Sequence, residues 1–193
     1  MGIGAVLLIA ALSLLLYNRA EDENAGRAAE ELLPAVMDAV GEPENSPPED
    51  QSEEGDSDDD TDMTVVEIDG YGYIGYLSIP TLELELPVMS EWDYTRLKLA
   101  PCRYFGSTKT DDLVICGHNY TRHFGTLKNL QPGDQVFFTD MDGVTVAYEV
   151  KEVETLRPTQ ISEMTESGYD LSLYTCTYGG QARVTVRCDR ADG

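Results

Sequence analysis

The stretch that most constrains the fold is Leu171–Arg190, which reads LSLYTCTYGGQARVTVRCDR. An apolar run from Leu171 to Tyr174 ends at Thr175-Cys176, Gly179-Gly180 supplies a turn, and Ala182 to Cys188 alternates with period two. Arg183, Thr185 and Arg187 fall on one face of that second segment, and Val184, Val186 and Cys188 on the other, as successive side chains of a strand must. The pattern predicts a β-hairpin with a cysteine closing one strand and an arginine opening the next. A thiol beside a guanidinium is a candidate nucleophile with an anion-stabilising partner. Such a pair needs a base, and the chain offers two histidines, His118 and His123.

Charge divides the chain. Of the net −23, residues 1–62 carry −15 and residues 63–193 carry −8. No basic stripe offsets this field, which argues against nucleic acid as a partner. Cys102, Cys116, Cys176 and Cys188 have no C-x-x-C spacing, which argues against a structural zinc site or a dense disulfide framework.

Ile3 to Tyr17 is nearly all apolar, about 15 residues against the roughly 20 of a comfortable membrane span. No clear small-x-small cleavage site follows, so residues 1–20 are read as an uncleaved signal anchor. Residues 21–62 are read as an extracytoplasmic linker. Its first part, Glu21 to Val40, has helical spacing at Ala28, Leu32, Leu33 and Val36, as in a short amphipathic stalk. Its second part, Gly41 to Asp62, is rich in Pro, Glu, Asp and Ser. It cannot bury apolar surface and is expected to be a disordered, self-repelling spacer. Residues 63–193 are enough for one core.

Within 63–193, strands are expected at Tyr73–Ile79, Leu82–Leu86, Asp112–Cys116, Gln135–Thr139, Val144–Thr155 and in the two arms of the hairpin. Asp93 is placed to cap a short helix carrying Tyr94, Leu97 and Leu99. A second short helix is expected over Thr121–Leu130, and a turn of helix between Arg157 and Ser167. About eight short strands and few helices predict a mainly β barrel or sandwich.

His118 follows the apolar strand V-I-C-G, and strand ends are where a rigid scaffold presents chemistry. His123 lies in the polar run T-R-H-F and is expected to be exposed. Both apolar strands therefore end at a reactive residue, His118 or Cys176. Cys116, Cys188 and Cys102 are more ordinary, the first two expected as small buried hydrophobes.

Together these motifs resemble the sortases, the membrane-anchored cysteine transpeptidases of Gram-positive surfaces. Gly117-His118-Asn119, followed by F-G-x-L at Phe124–Leu127 and P-G-D at 132–134, resembles the family's histidine segment. L-Y-T-C at 173–176 resembles its T-L-x-T-C motif, and Ala182-Arg183-Val184 its arginine strand. Y-I-G-Y-L-S-I-P at 73–80 and L-P-V at 86–88 look like its first two strands. The resemblance covers about 73–190. It implies an eight-stranded β-barrel and a catalytic set of Cys176, His118 and Arg183, with no cofactor and no metal. Arg187, on the same strand face, is the runner-up to Arg183.

The resemblance further implies the chemistry. Cys176 would attack a Thr carbonyl in the sorting signal of a surface protein, form a thioacyl enzyme, and pass the acyl group to an amine of peptidoglycan or a pilin. The chain would act outside the cell membrane, held there by its single-pass anchor. The spacing of Cys176 and Arg183 and the G-H-N segment look more like class B than the housekeeping class. Only Arg157–Asp170 is available for the long helix that class B inserts. Pilin-polymerising sortases carry an Asp-Pro-aromatic lid, and Asp60–Met63 lacks the proline. The competing readings are a cysteine peptidase releasing peptides to water and a non-catalytic surface-displayed binding barrel. A zinc enzyme is a distant third, because Cys116-x-His118 lacks two further spaced ligands.

Overall fold

A computed structural model describes residues 2–41 and 61–191. The acidic stretch 42–60, most of the expected disordered spacer, lies outside the described residues. Nine strands occur among the described residues: β1 Val66–Ile68, β2 Tyr71–Ile79, β3 Leu84–Met89, β4 Cys102–Phe105, β5 Leu113–Gly117, β6 Gln135–Asp140, β7 Thr145–Leu156, β8 Leu171–Cys176 and β9 Arg183–Arg190. They form one sheet in the order β1-β2-β3-β4-β5-β8-β9-β7-β6. Pairing of β2 with β6 closes strands β2 to β9 into an eight-membered ring. β1 stands outside it, sharing an edge of β2 with β6. Closure removes the unpaired edges that would otherwise template association. Of the two architectures the strand pattern allows, barrel or sandwich, the chain builds the barrel.

Alternation fills the interior. Leu171, Leu173 and Thr175 of β8 are buried on one face with Leu77, Ile115 and Phe138. Phe124 and Leu127, three residues apart on a 3₁₀ turn at Phe124–Asn129, plug the barrel. That turn replaces the longer helix expected from Thr121. The strand expected from Leu82 begins two residues later, because Pro80–Leu82 forms a 3₁₀ turn and Glu83 has φ +53°. Two strands are not announced by the sequence pattern, β1 and β4, of three and four residues. Asp93 caps as expected, its Oδ1 accepting from the backbone N–H of Thr95 at 2.6 Å and Arg96 at 2.8 Å, ahead of a 3₁₀ turn at Arg96–Lys98.

Two α-helices accompany the barrel. α2, Ile161–Thr165, lies between β7 and β8. α1, Gly2–Ala39, is a single rod of 38 residues, about 57 Å at 1.5 Å per residue. By length and composition it is apolar enough to cross a membrane. Its first half exposes its leucines and Ile9. Its second half docks on the barrel through Ala25, Ala29, Leu32 and Val36, spaced four, three and four apart. The stalk expected over 21–40 is therefore part of the same helix and packs on the barrel. Gly26 allows the close approach, since a Cβ there would collide with Arg122.

Candidate active site

Strand pairing assembles the site. β5 and β8 are parallel neighbours in the register Leu113↔Leu171 through Gly117↔Thr175. The next residues, His118 just past β5 and Cys176 the last of β8, therefore lie at the same end of the barrel. β8 and β9 are antiparallel, and their last pair is Cys176↔Arg183. Directly opposed Cα atoms lie about 5 Å apart. His118, distant in sequence, is thus brought to the end of the barrel where the hairpin pair Cys176 and Arg183 stands.

The loop joining β8 to β9 is tight. Thr177 N–H donates to the Ala182 carbonyl at 2.9 Å, and Gly180 N–H to the Thr177 carbonyl at 2.8 Å. Gly179 and Gly180 have φ +82° and +71°, the left-handed region where glycine is unstrained. Cys176 is exposed and free. Arg183 is half-buried, and its Nη1 donates to the carbonyls of Gly180 at 3.0 Å and Ala182 at 3.1 Å. It is thus held beside the thiol by its own loop.

His118 is half-buried and stacks on Tyr120, with ring centroids 4.1 Å apart and 12° between planes. Its pKa lies below the ordinary histidine value, first because burial disfavours the cation and next because Lys98 repels it, with Glu21 opposing. The neutral imidazole is therefore favoured near neutral pH.

His123 corrects an expectation. It is fully buried, not exposed, and its Nε2 donates to the Ala25 carbonyl of α1 at 3.2 Å. Burial pushes its pKa down to about 4. Its Nδ1 is buried without a hydrogen-bond partner. A ring so enclosed has no access to the thiol.

Arg187 is likewise taken away from the site. It pairs with Ser172, four residues from Cys176 along β8. It is buried, with Nε donating to Glu154 at 2.8 Å, Nη1 to Ser172 Oγ at 2.7 Å and Nη2 to the Glu163 carbonyl at 2.6 Å. It ties β7, β8 and α2 together.

A groove of about 180 Å³ runs to Cys176 and Arg183, walled by Trp92, Tyr104, Tyr174 and Met164. Tyr104 packs edge-on against Tyr174 at 5.4 Å and lies tilted by 44° against Trp92 at 5.9 Å. Cys116 also lines the groove, but burial pushes its thiol up to about 12, so it stays protonated. Cys102 and Cys188 are buried and shifted the same way. Sequence reasoning misses the aromatic wall, Lys98 and Tyr120. The cluster Trp92-Asp93-Tyr94 is visible there, but its partners Tyr104 and Tyr174 come from other strands. Among the described residues, no three His, Cys, Asp or Glu side chains are grouped to hold a metal ion.

The arrangement holds a thiol and a fixed guanidinium on one groove, with an imidazole of lowered pKa one residue beyond Gly117 of the groove wall. That is a set able to carry out nucleophilic acyl transfer. Residues 77–191 match the family model of the Sortase domain. Sortase C1 from Streptococcus suis is 29% identical over 63% of this chain and 74% of its own, with a TM-score of 0.54. Sortase C1 from Streptococcus agalactiae is 26% identical over 66% and 72%, with a TM-score of 0.56. The barrel also resembles Clostridium perfringens sortase C, solved with the C-terminal cell wall sorting motif, at 24% identity over 63% and 71%, TM-score 0.54. No curated protein matches the chain. The long helix of class B is not found between β7 and β8, where the five-residue α2 stands instead.

Proposed function

The chain belongs to the sortase family, and on that premise we propose that Cys176, His118 and Arg183 transfer the acyl group of a sorting-signal peptide to an amine. The observation that carries this reading is the register Cys176↔Arg183, with His118 at the end of the parallel neighbour. The Cys176 thiolate attacks the carbonyl carbon of the scissile peptide bond. The guanidinium of Arg183 leaves its loop carbonyls to donate to the oxyanion of the tetrahedral intermediate. Protonated His118 gives its proton to the leaving amine, and a thioester remains on Cys176. Neutral His118 then takes a proton from the incoming amine as that nitrogen attacks the thioester, and the thiolate leaves.

The substrate class is a C-terminal sorting signal, as bound in the Clostridium perfringens structure. The acceptor is an amine of peptidoglycan or a pilin. The aromatic wall supplies apolar contact for such a peptide. Residues 1–20 anchor the chain in the cell membrane with residues 63–193 outside it as the catalytic domain, and residues 21–62 connect the two.

The test is intact-protein mass spectrometry of the chain incubated with a library of sorting-motif peptides, with and without triglycine. An acyl adduct that is lost in Cys176→Ala and converted to triglycine-ligated product supports transpeptidation. Cleavage with no ligated product at any triglycine concentration replaces it with a peptidase. Equal cleavage by Cys176→Ala refutes the site.

A further inference from the structure

Contacts along α1 fix where the barrel sits relative to the helix's apolar half. Val6 to Tyr17 is exposed throughout, Leu8 at 73% and Leu16 at 57%, so the barrel covers none of the apolar half. Asn18 is the first residue beyond that half, and its Nδ2 donates to the hydroxyl of Tyr178 in the β8–β9 loop at 3.2 Å. One turn on, Asp22 Oδ1 accepts from the backbone N–H of Thr121 at 2.5 Å. The Ala25 carbonyl then meets His123, Glu30 pairs with Arg122, and Val36 is buried. At the far end Gly41 N–H donates to the Met141 carbonyl at 2.9 Å, beside the β6–β7 turn. The helix runs from Gly2 to Ala39 with one internal proline, Pro34, which lies beyond the Asn18, Asp22, Ala25 and Glu30 contacts. The barrel is therefore clamped to the rod for about 33 Å beyond the apolar half, at 1.5 Å per residue.

We infer that α1 seats the Cys176 end of the barrel on the surface of the lipid bilayer, with Tyr178 as its interfacial contact and the β6–β7 turn pointing away. The inference rests on the proposed anchoring of the apolar half. Tyr178 is 86% exposed although it is aromatic, and Gly179 and Gly180 beside it leave the loop bare of other large groups. A phenol with a wet hydroxyl and an apolar ring is a side chain that membrane interfaces collect. Cys176 stands two residues away, at most about 7 Å of extended chain. Attraction to anionic lipid cannot hold this end down, since residues 63–193 carry net −8 and the one cation directly after the apolar half, Arg19, is followed by Glu21, Asp22 and Glu23. The rod holds it. The acidic stretch 42–60 then does not set the reach of the active site, because the clamp bypasses it.

Trp92 is the only tryptophan of the chain, so depth can be read by fluorescence once the indole is moved. The full chain is placed in phosphatidylcholine vesicles as W92F/Y178W and as W92F/V144W, Val144 being exposed at the β6–β7 turn. A nitroxide on the lipid headgroup and iodide in the water serve as quenchers. W92F/Q181W, on the same loop, repeats the reading without touching the Asn18–Tyr178 bond. The expected result for W92F/Y178W and W92F/Q181W is loss of emission to the headgroup nitroxide with protection from iodide, and the reverse for W92F/V144W. A Gly-Pro-Gly insertion between Tyr17 and Asn18 should abolish the nitroxide quenching of W92F/Y178W. If the chain floats with the vesicles but W92F/Y178W is as open to iodide as W92F/V144W, this inference is overturned and the anchor is spared. Iodide protection without nitroxide quenching points to a second copy or another protein on the loop, and also overturns it. A chain that does not float overturns both.

Discussion

The two ends of the β8–β9 hairpin carry the same side chain in opposite circumstances. At the open end Arg183 faces exposed Cys176 and holds only carbonyls of its own loop. Four residues along the same face, Arg187 is buried and each of its nitrogens is engaged, by Glu154, by Ser172 and by carbonyls of α2. The loop carbonyls of Arg183 can turn to water, so that guanidinium can be lent to a developing oxyanion. The Ser172 hydroxyl and Met164 carbonyl that hold Arg187 cannot, because a buried group stripped of its hydrogen bond has no substitute. The two histidines repeat the contrast. His118 is half-buried against Tyr120 at the groove end, and His123 is sealed under α1. Residue type does not separate a reactive group from a structural one here; the replaceability of its partners does.

Exchanging each arginine should separate the two roles. Arg183→Ala should lower transpeptidation by about 10²–10³-fold, the usual loss for one oxyanion donor, or about 3–4 kcal/mol. Its melting temperature should hardly change, because the lost partners are solvent-accessible carbonyls. Steady-state kinetics with a sorting-motif peptide and a thermal melt measure both. Normal turnover with a lower melting temperature would invert the comparison. Arg187→Met should instead cost about 3 kcal/mol of stability in urea unfolding, since it leaves Glu154 and two α2 carbonyls unpaired. Glu154→Gln in that background should restore part of it. The surviving enzyme should show a raised KM and a nearly unchanged kcat, because α2 carries Ile161 and Met164 of the groove wall.

The open end is the legible one. Gly179-Gly180 and the alternation from Ala182 set the hairpin register, and register alone puts Arg183 opposite Cys176. The end of β5 at Gly117-His118 is legible for the same reason: a β-branched run stopping at glycine. What cannot be read is what only tertiary packing decides. The polarity of Thr121-Arg122-His123 suits a surface, and Thr121 and Arg122 are exposed, yet His123 is sealed under α1, with Asp22, the Ala25 carbonyl and Glu30 as partners of the run from the far N-terminal end of the chain. β4 is short, follows Pro101 and alternates poorly, so no period announces it. The helical spacing read at Ala28, Leu32, Leu33 and Val36 finds only part of the docked stripe Ala25, Ala29, Leu32 and Val36, and nothing in the sequence says that its partner is the barrel.

That hidden contact has a pH signature. Well above the ordinary histidine pKa of about 6.5, His123 is neutral in both the folded and the unfolded chain and contributes no pH dependence. Between that value and about 4 the unfolded chain takes up a proton that the buried ring cannot accept. Stability therefore rises with pH across this window and is lost on acidification, by about 3 kcal/mol at its acid end. His123→Gln should flatten that part of the curve relative to wild type. Urea unfolding at neutral pH and near the acid end of the window measures it, and parallel losses in the two proteins would mean that His123 is not sealed.

The smallest effect concerns the half-buried histidine at the groove. Burial is the first cause of its lowered pKa, the Lys98 cation the second, and Glu21 opposes both. Lys98→Met should raise the His118 pKa, and Glu21→Gln should lower it. In the proposed first step His118 acts as an acid, so its active form is the imidazolium, present below its pKa and lost as pH rises through it. The alkaline fall in thioester formation should move to higher pH in Lys98→Met and to lower pH in Glu21→Gln. Glu21 stands on α1, so its effect also reports that the helix lies against the site. In NMR titrations the His118 ring should follow these shifts while His123, enclosed by burial, stays where it is. If the kinetic limb stays fixed while the His118 resonance moves, another group supplies the proton.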